Sequence, residues 1–188
     1  MAYHMFWTAI KVGNSALTSL VIEESCYVAN NLCPCTSLAL LDDPSIDAVY
    51  IPLPKGLHCE WALKALAKGK HVLLEKPSIS NAAEAELLFH SPLLEQPNAP
   101  VLLEAFHCRF HPAWQHFLTL IDPANVAHAR CTASVPALVF PKDDIRFHND
   151  LAGGTMMDLG TYPMSALRGV FGAAQDECLG CAVATCPP

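Results

Sequence analysis

Short apolar runs alternate with an amphipathic stretch in the middle of the chain. Residues 45–54 form an apolar run that ends in prolines, and residues 71–77 contain a second run. Between them, residues 58–69 place their large apolar side chains on one helical face and end in Gly69, a typical residue just beyond a helix. The order strand, helix, strand predicts a right-handed crossover between two parallel strands.

The alternation of helix and strand patterns continues further along the chain. Asn81 and Glu84 have the spacing of a capping box and predict a helix through about Leu88. Residues 101–106 predict another buried strand, and residues 112–121 predict an amphipathic helix.

The last third of the chain carries two weaker patterns. Residues 126–135 alternate well enough to predict a strand of a second domain. Residues 156–171 predict a helix that Pro163 kinks.

Lys76 ends the second apolar run and directly precedes Pro77. A proline cannot continue a strand ladder and restricts the preceding residue to extended geometry, so Lys76 is held at the carboxyl end of a strand. Open α/β sheets bind their ligands at that edge. Lys76 is therefore a candidate site residue, and the alternative is an ordinary surface lysine after a strand.

Asp158 and Tyr162 are four residues apart, a spacing that puts both side chains on one face of a helix. Gly153 and Gly154 precede this face and allow a close approach of the backbone. The alternative interpretation makes Tyr162 a core aromatic residue and Asp158 a helix-terminal charge that the helix dipole favours.

Three motifs follow one another along the chain. They are Asp-Ala-Val-Tyr-Ile-Pro-Leu-Pro with Gly-Lys-His-Val-Leu-Leu-Glu-Lys-Pro (47–54 and 69–77), Glu-Ala-Phe-His-Cys-Arg-Phe-His-Pro (104–112) and Gly-Gly-Thr-Met-Met-Asp-Leu-Gly-Thr-Tyr-Pro (153–163). Together they resemble the glucose–fructose oxidoreductase and inositol dehydrogenase (Gfo/Idh/MocA) family. Within it, they are most similar to the branch of dimeric dihydrodiol dehydrogenases and NADP-dependent xylose dehydrogenases. The resemblance runs from about Leu41 to about Gly172, so the chain looks truncated at both ends relative to the family.

The resemblance implies an α/β fold in two parts. Residues 41–122 are expected to form an incomplete Rossmann-like parallel sheet with helices, and residues 123–188 the start of an α+β substrate domain. Residues 1–40 contain Gly13 as their only glycine, so they lack the Gly-x-Gly-x-x-Gly fingerprint that holds a pyrophosphate. This first segment is therefore unplaced and replaces the fingerprint.

The resemblance also implies roles for individual residues. Lys76 matches the catalytic lysine of the family, Tyr162 its acid/base and Asp158 an active-site carboxylate. Because a free tyrosine has a pKa near 10, a nearby ammonium such as that of Lys76 is needed to favour the phenolate. NADP or NAD is expected to bind at Pro52, Pro54, His58, Glu75 and Lys76. Arg109 and Arg146 are expected on the substrate side, and the alternative for Arg146 is a solvated loop pair with Asp144.

Composition limits the partners of the chain. A net charge of −7 argues against nucleic acid, whose phosphates require basic patches. No apolar run reaches the roughly 18 residues of a membrane span. A hydrophobic fraction of 52% beside a charged fraction of 15% suggests apolar surface that a partner covers, either in a homodimer or from a completing partner chain.

Nine scattered cysteines, an odd number, are interpreted as reduced thiols of a cytoplasmic protein. No metal site is expected, because the candidate groups lack standard ligand spacing or a common helical face. These candidate groups are Cys178, Cys181 and Cys186, and His107, His111 and His116.

Two functions follow from these observations. The first is an NADP-dependent dehydrogenase that acts on a small molecule, a sugar or a secondary alcohol of the trans-dihydrodiol type, as the resemblance implies. The second is a catalytically inactive remnant or an interaction protein of the same family, because the chain lacks the fingerprint that holds the cofactor.

Overall fold

A computed structural model describes most of the chain from residue 37 to residue 172. The described residues are 11–12, 15–16, 19–21, 37–136, 139–141, 144–172, 179–180 and 182. The cysteine group at 178, 181 and 186 and most of the segment 1–40 lie outside them.

The described elements follow the α/β order that the sequence predicts. The strands are β1 (Lys11–Val12), β2 (Ser15–Ala16), β3 (Ser19–Val21), β4 (Ala48–Ile51), β5 (His71–Leu74) and β6 (Leu102–Glu104). The helices are α1 (Ser37–Asp42), α2 (His58–Ala67), α3 (Ala82–Phe89), α4 (Pro112–Thr119), α5 (Thr155–Asp158) and α6 (Thr161–Phe171). Short 3₁₀ turns lie at Lys55–Leu57, Pro92–Leu94, His107–Phe110, Pro123–Asn125, Ile145–Phe147 and Asn149–Leu151.

Strands β3, β4, β5 and β6 form a parallel sheet in that order, and β1 pairs with β2 in an antiparallel ribbon. The predicted crossover from β4 through α2 to β5 is confirmed, because these two strands pair in parallel with Val49 opposite Val72 and Ile51 opposite Leu74. The carboxyl ends of β4 and β5 therefore lie side by side at one edge of the sheet, which is the edge that Lys76 follows.

Helix α2 packs its apolar face onto the sheet. Trp61, Ala65 and Leu66 are buried, as their helical spacing predicts, and they join the core with residues of β4 and β5. The helix ends before Gly69, whose positive φ of 71° is a conformation that glycine adopts without steric cost. This packing fixes the loop between β4 and α2 above the edge of the sheet.

Helix α3 begins at the predicted cap. The side chain of Asn81 accepts a hydrogen bond from the Glu84 N–H at 3.0 Å. The Glu84 carboxylate in turn accepts a hydrogen bond from the Ser80 N–H at 2.7 Å, one residue earlier than in a standard capping box. The helix extends to Phe89, so the prediction of its position is confirmed.

The prediction of one kinked helix over residues 156–171 was wrong. The chain breaks after Asp158 instead, and α6 starts at Thr161 with Pro163 as its third residue. Proline is tolerated there because the first N–H groups of a helix have no intrahelical partner. At the break, a Cβ on Gly160 would lie 2.5 Å from the Met156 carbonyl oxygen, so this tight turn requires glycine.

The prediction of a strand over residues 126–135 was also wrong. These residues form irregular chain, and no strand in the described part lies beside them. An alternating pattern stabilises a strand only when a neighbouring strand accepts its hydrogen bonds and side chains.

Helix α4 forms as predicted but ends at Thr119, two residues early, and buries none of its residues fully.

None of the described helices is long and apolar enough to cross a membrane.

Candidate active site

Lys76 and Asp158 meet at the carboxyl end of β5. The Lys76 ammonium lies 2.9 Å from Asp158 Oδ1 and also donates a hydrogen bond to the Asp158 carbonyl oxygen at 3.0 Å. Both side chains are 16% exposed, so water screens the pair less than it would a surface ion pair. Two of the residues that the sequence singles out, 82 positions apart, are thus in direct contact.

Arg146 holds the other oxygen of the same carboxylate. Its Nε lies 3.2 Å from Asp158 Oδ2, and its Nη1 donates to both oxygens of Asp144 at 2.9 and 3.0 Å. The alternative of an isolated solvated pair with Asp144 therefore describes only part of its contacts. Arg146 links the 3₁₀ turn at Ile145–Phe147 to the end of α5.

The Asp158 carboxyl is held in its ionised form. Burial raises its pKa, but the hydrogen bond and charge of Lys76 lower it, and so do the charges of Lys55 and Arg146. The net pKa of Asp158 lies below its ordinary value. Asp158 is therefore an anion near neutral pH, which keeps the Lys76 ammonium in place.

Tyr162 approaches Lys76 from the other side. The Lys76 Nζ lies 4.9 Å from the centre of the Tyr162 ring, within the range of a cation–π contact. The ring also packs on Phe106, with centres 5.1 Å apart. Asp158 and Tyr162 thus converge on Lys76, although they lie on two separate helices and not on one helical face as predicted.

The predicted cofactor residues line one small cleft at the edge of the sheet. Its volume is about 150 Å³, and Lys55, Arg146 and Asp158 line it too. The predicted residues in its lining are Pro52, Pro54, His58, Glu75 and Lys76.

His58 joins the two loops that carry this cleft. Its side chain is 1% exposed, with Nε2 2.7 Å from the Leu53 carbonyl oxygen and Nδ1 2.9 Å from the Pro77 carbonyl oxygen. Burial lowers the pKa of His58, and this effect outweighs the two carbonyl contacts, which raise it. Both ring nitrogens face backbone, so the ring ties the loop after β4 to the loop after β5.

Glu75 is held by a tyrosine that sequence reasoning missed. The Tyr50 hydroxyl donates to Glu75 Oε1 at 2.5 Å, and the Lys76 N–H donates to Oε2 at 3.1 Å. Burial, followed by the hydrogen bond to Glu75 and its negative charge, raises the pKa of Tyr50. Because Tyr50 pairs with Leu73 in the sheet, Glu75 lies diagonally across on the neighbouring strand, and only the register of the strands reveals this contact.

Lys55 is a second residue that the sequence analysis missed. It lies directly after Pro54, in the 3₁₀ turn that follows β4, and no proline follows it, so the reasoning that selected Lys76 does not extend to it. Burial lowers the pKa of Lys55, Asp158 raises it, and Lys76 and Arg146 lower it by repulsion, for a net lowering.

Arg109 does not line the Lys76 cleft. It borders a groove of about 680 Å³ with Trp114 and Arg168, and a second cavity of about 390 Å³ with Tyr162. Tyr162 is thus in contact with Lys76 on one side and borders the same cavity as Arg109 on the other.

The loop before α5 confirms the expected close approach of the backbone at Gly153, whereas Gly154 has open space around it and a positive φ of 114°. A Cβ on Gly153 would lie 2.6 Å from the His148 carbonyl oxygen, so only glycine fits there without a shift of the chain. This fold brings the 3₁₀ turn that carries Arg146 against α5.

Cys59, Cys108 and Cys131 are free thiols in the described part of the chain. Among the described residues, no group of three or more histidine, cysteine or acidic side chains is arranged to hold a metal ion.

The sequence of the chain also matches a known protein family. Residues 13–92 match the model of the Gfo/Idh/MocA family, described as an oxidoreductase family with an NAD-binding Rossmann fold. The match begins at residue 13, whereas the sequence resemblance was expected to begin near Leu41.

Two curated relatives are sugar oxidoreductases by name. The chain is 43% identical over 131 residues to D-xylose 1-dehydrogenase (NADP(+)) 2 of Haloferax volcanii, covering 69% of this chain and 39% of that protein. It is 38% identical over 143 residues to dTDP-3,4-didehydro-2,6-dideoxy-alpha-D-glucose 3-reductase of Actinomadura kijaniata, covering 76% and 42%. The chain spans about two fifths of the length of these relatives.

A solved structure shares the fold of the described part. It is a 3-ketoreductase from Actinomadura kijaniata in complex with NADP and TDP-benzene, with a TM-score of 0.54 and 31% identity over 70% of this chain and 40% of that chain. Together with the parallel sheet and the match over residues 13–92, this likeness shows that the chain belongs to the Gfo/Idh/MocA oxidoreductase family.

Proposed function

We propose that this chain carries the catalytic core of an NADP-dependent dehydrogenase that oxidises a secondary alcohol of a sugar, with a trans-dihydrodiol as the alternative substrate. One observation carries the proposal. Lys76 lies at the ligand-binding edge of a parallel sheet, 2.9 Å from the Asp158 carboxylate and 4.9 Å from the centre of the Tyr162 ring.

The residues of the cleft fit one group of a nicotinamide cofactor. A volume of 150 Å³ is smaller than the roughly 300 Å³ at which pockets begin to enclose a whole drug-sized ligand. The cleft therefore suits a group and not an entire dinucleotide. Pro52, Pro54, Glu75 and Lys76 would contact that group, and His58 would hold the two loops around it. When bound, the nicotinamide accepts the hydride of the alcohol.

The side chains of this chain would accept and transfer the hydroxyl proton of the substrate. Tyr162, whose ring lies beside the Lys76 ammonium, takes the hydroxyl proton of the substrate. Asp158 holds Lys76 in position, and Arg146 holds Asp158. Arg109 lies on the opposite side of Tyr162 and would contact the remainder of the substrate.

The chain would work with a partner, as a homodimer or with a completing chain. Several large apolar side chains of the second half stay exposed, including Phe110, Leu120 and Met156. A cover of this kind agrees with the apolar composition of the whole sequence. The free thiols of Cys59, Cys108 and Cys131 agree with a reducing, cytoplasmic location.

Cofactor binding is the first test. The thermal melt of the full chain, followed by circular dichroism, is recorded with and without millimolar NADPH or NADH. A cofactor at one hundred times its dissociation constant stabilises the fold by about 2.7 kcal/mol, which raises the melting temperature by several degrees. We expect NADPH to raise it more than NADH. A cooperative melt that neither cofactor changes would favour the inactive remnant or interaction protein.

The rate of turnover then tests the proposed roles of Lys76 and Tyr162. Hydride transfer from D-xylose and D-glucose to NADP is followed by the absorbance of NADPH. Lys76→Met and Tyr162→Phe are each expected to lower the rate by roughly 10²- to 10⁴-fold, the usual contribution of a positioned proton-transfer group. Lys68→Met, a change of an exposed lysine on the far end of α2, serves as the matched control and is expected to retain the rate.

A further inference from the structure

The carboxylate oxygens that line the Lys76 cleft already have partners. Asp158 binds Lys76 through Oδ1 and Arg146 through Oδ2. Glu75 accepts the Tyr50 hydroxyl through one oxygen and the Lys76 N–H through the other. The acidic groups of the cleft are therefore satisfied within the described chain.

Lys55, in contrast to these carboxylates, lacks a partner for its charged group among the described residues. Its side chain is half-buried and lines the cleft, yet its ammonium makes no hydrogen bond or ion pair with any residue that the structure describes. Arg146 also keeps unused donors, because its Nε and Nη1 bind carboxylates while its Nη2 bonds to no described residue. A half-buried ammonium and free guanidinium N–H groups thus lie at one cleft.

The charges of the cleft balance, but their pairing does not. Lys55, Lys76 and Arg146 contribute three positive charges, and Asp158, Glu75 and the Asp144 carboxylate that binds Arg146 contribute three negative charges. Each of these carboxylates has a partner, whereas the Lys55 ammonium has none among the described residues. Asp158 and Asp144 attract the Lys55 ammonium, whereas Lys76 and Arg146 repel it, in a partly desolvated space in which charges interact more strongly than in water. An anion between Lys55 and Arg146 would relieve this repulsion and satisfy the free donors.

We propose that Lys55, together with Arg146, binds an oxyanion group of the ligand, either a phosphate of the dinucleotide or an acidic group of the sugar. An ammonium and a guanidinium edge form strong charge-assisted hydrogen bonds with carboxylate and phosphate oxygens. The volume of 150 Å³ accommodates such a group. This inference rests on the proposed dehydrogenase site for the identity of the ligand, but the binding of an oxyanion can be measured without turnover.

The probe is inorganic phosphate, titrated into the full chain at constant ionic strength and followed by isothermal titration calorimetry. We expect one saturable site. Lys55→Gln is expected to weaken its affinity by about tenfold or more, since a charge-assisted hydrogen bond contributes roughly 1.5 kcal/mol or more. Lys55→Arg keeps the charge and is expected to retain the affinity within about threefold. Lys68→Gln removes an exposed lysine and is expected to leave the affinity unchanged.

Competition identifies the source of the oxyanion. NADPH and the sugar acid D-gluconate are each tested for displacement of phosphate, with neutral D-glucose as the control. Displacement by NADPH assigns the site to a cofactor phosphate, and displacement by D-gluconate alone assigns it to an acidic substrate. Displacement by neither means that phosphate binds as an adventitious ion only and overturns the proposal.

The result for Lys55 is separable from the dehydrogenase proposal. If Lys55→Gln binds phosphate as tightly as the unchanged chain, the oxyanion site is wrong even where turnover persists. If phosphate binding depends on Lys55 and D-gluconate displaces it, while NADPH does not raise the melting temperature and neither sugar reduces NADP, the oxyanion site stands and the dehydrogenase proposal fails.

Discussion

The two halves of the described chain bury their side chains to very different extents. All buried residues that the structure describes lie between Leu40 and Phe106, in the sheet, in α1, α2 and α3, and in the loops that join them. From residue 107 to residue 172, the described residues include none that is fully buried, so α4, α5 and α6 each leave their apolar side chains partly or largely accessible. The first half therefore has its own hydrophobic core, and the second half does not.

Polar contacts take a larger share in ordering the second half. Arg146 binds Asp144 and Asp158, and Asp158 in turn binds Lys76 at the edge of the sheet. This network ties the turns before α5 to the first half. The candidate site therefore has a second role. Its ion pairs connect the first half, which has its own hydrophobic core, to the second half, which has little core of its own.

The largest expected effect comes from a matched pair of leucine substitutions. Leu74 in β5 is 0% exposed, whereas Leu120 at the end of α4 is 71% exposed. Leu74→Ala should lower the free energy of unfolding by about 2–5 kcal/mol, since it removes buried methyl groups and leaves a cavity. Leu120→Ala should change it by less than about 0.5 kcal/mol. Urea unfolding followed by circular dichroism measures both.

The control of this pair is internal, because the chemical change is the same at both positions. A cost for Leu120→Ala that approaches the cost for Leu74→Ala would show that the second half is covered in solution. Its dependence on protein concentration would then reveal a homodimer, whose stability is linked to concentration.

The same contrast explains which elements were predictable. Helix α2 and strands β4 and β5 follow from periodicities within about ten residues, and the core that they form is local in sequence. The strand expected over residues 126–135 depends on a neighbouring strand, which no local pattern supplies. The break before Thr161 depends on the close approach of Gly160 to Met156, while Pro163, the visible signal, is tolerated where it lies.

The residues of the candidate site also fall into two groups, those that the sequence identifies and those that only the fold reveals. Lys76 was identified from its position after a strand, and Asp158 and Tyr162 from a spacing and a family motif. The prediction that Asp158 and Tyr162 share one helical face was wrong, since they lie on separate helices. Both side chains nevertheless contact Lys76. Tyr50 was missed because its contact with Glu75 depends on strand register. Lys55 was missed because its place in the cleft depends on side-chain direction at the sheet edge, which a single sequence does not display.

A smaller effect is expected at His58, which belongs to the first half but supports the cleft. His58→Leu keeps a similar volume and removes the ring that contacts the Leu53 and Pro77 carbonyl oxygens. Leaving buried carbonyl groups unsatisfied should lower the free energy of unfolding by about 2 kcal/mol. Urea unfolding measures this cost, and the exposed His90→Leu is the control, with a change near zero.

The His58 variant also tests the link between core and cleft. Because the ring ties the two loops around Lys76, His58→Leu should reduce the rise in melting temperature that NADPH produces. An unchanged rise would mean that the loops keep their positions without the histidine, and would restrict its role to stability.

The smallest expected effect concerns the network that joins the halves. The folded-state pKa of Asp158 lies below its ordinary value of 3.8, so its ion pairs stabilise the fold fully above the unfolded-state pKa. This contribution is lost as the pH falls through the folded-state pKa. Since the pair is only partly shielded from water, we expect about 1 kcal/mol or less. Unfolding in urea at pH 6 and pH 3 should therefore show a smaller loss of stability for Asp158→Asn than for the unchanged chain.

The matched control for this titration is Asp150→Asn, which changes an exposed carboxylate eight residues earlier in the chain. It should retain the full loss of stability between pH 6 and pH 3. If Asp158→Asn and Asp150→Asn show the same loss as the unchanged chain, the network contributes nothing measurable to attachment of the second half, and the apolar contact of Phe106 with Tyr162 would be the better explanation for how the halves stay together. A Phe106→Ala variant, which removes that contact, would then show the larger cost of the two.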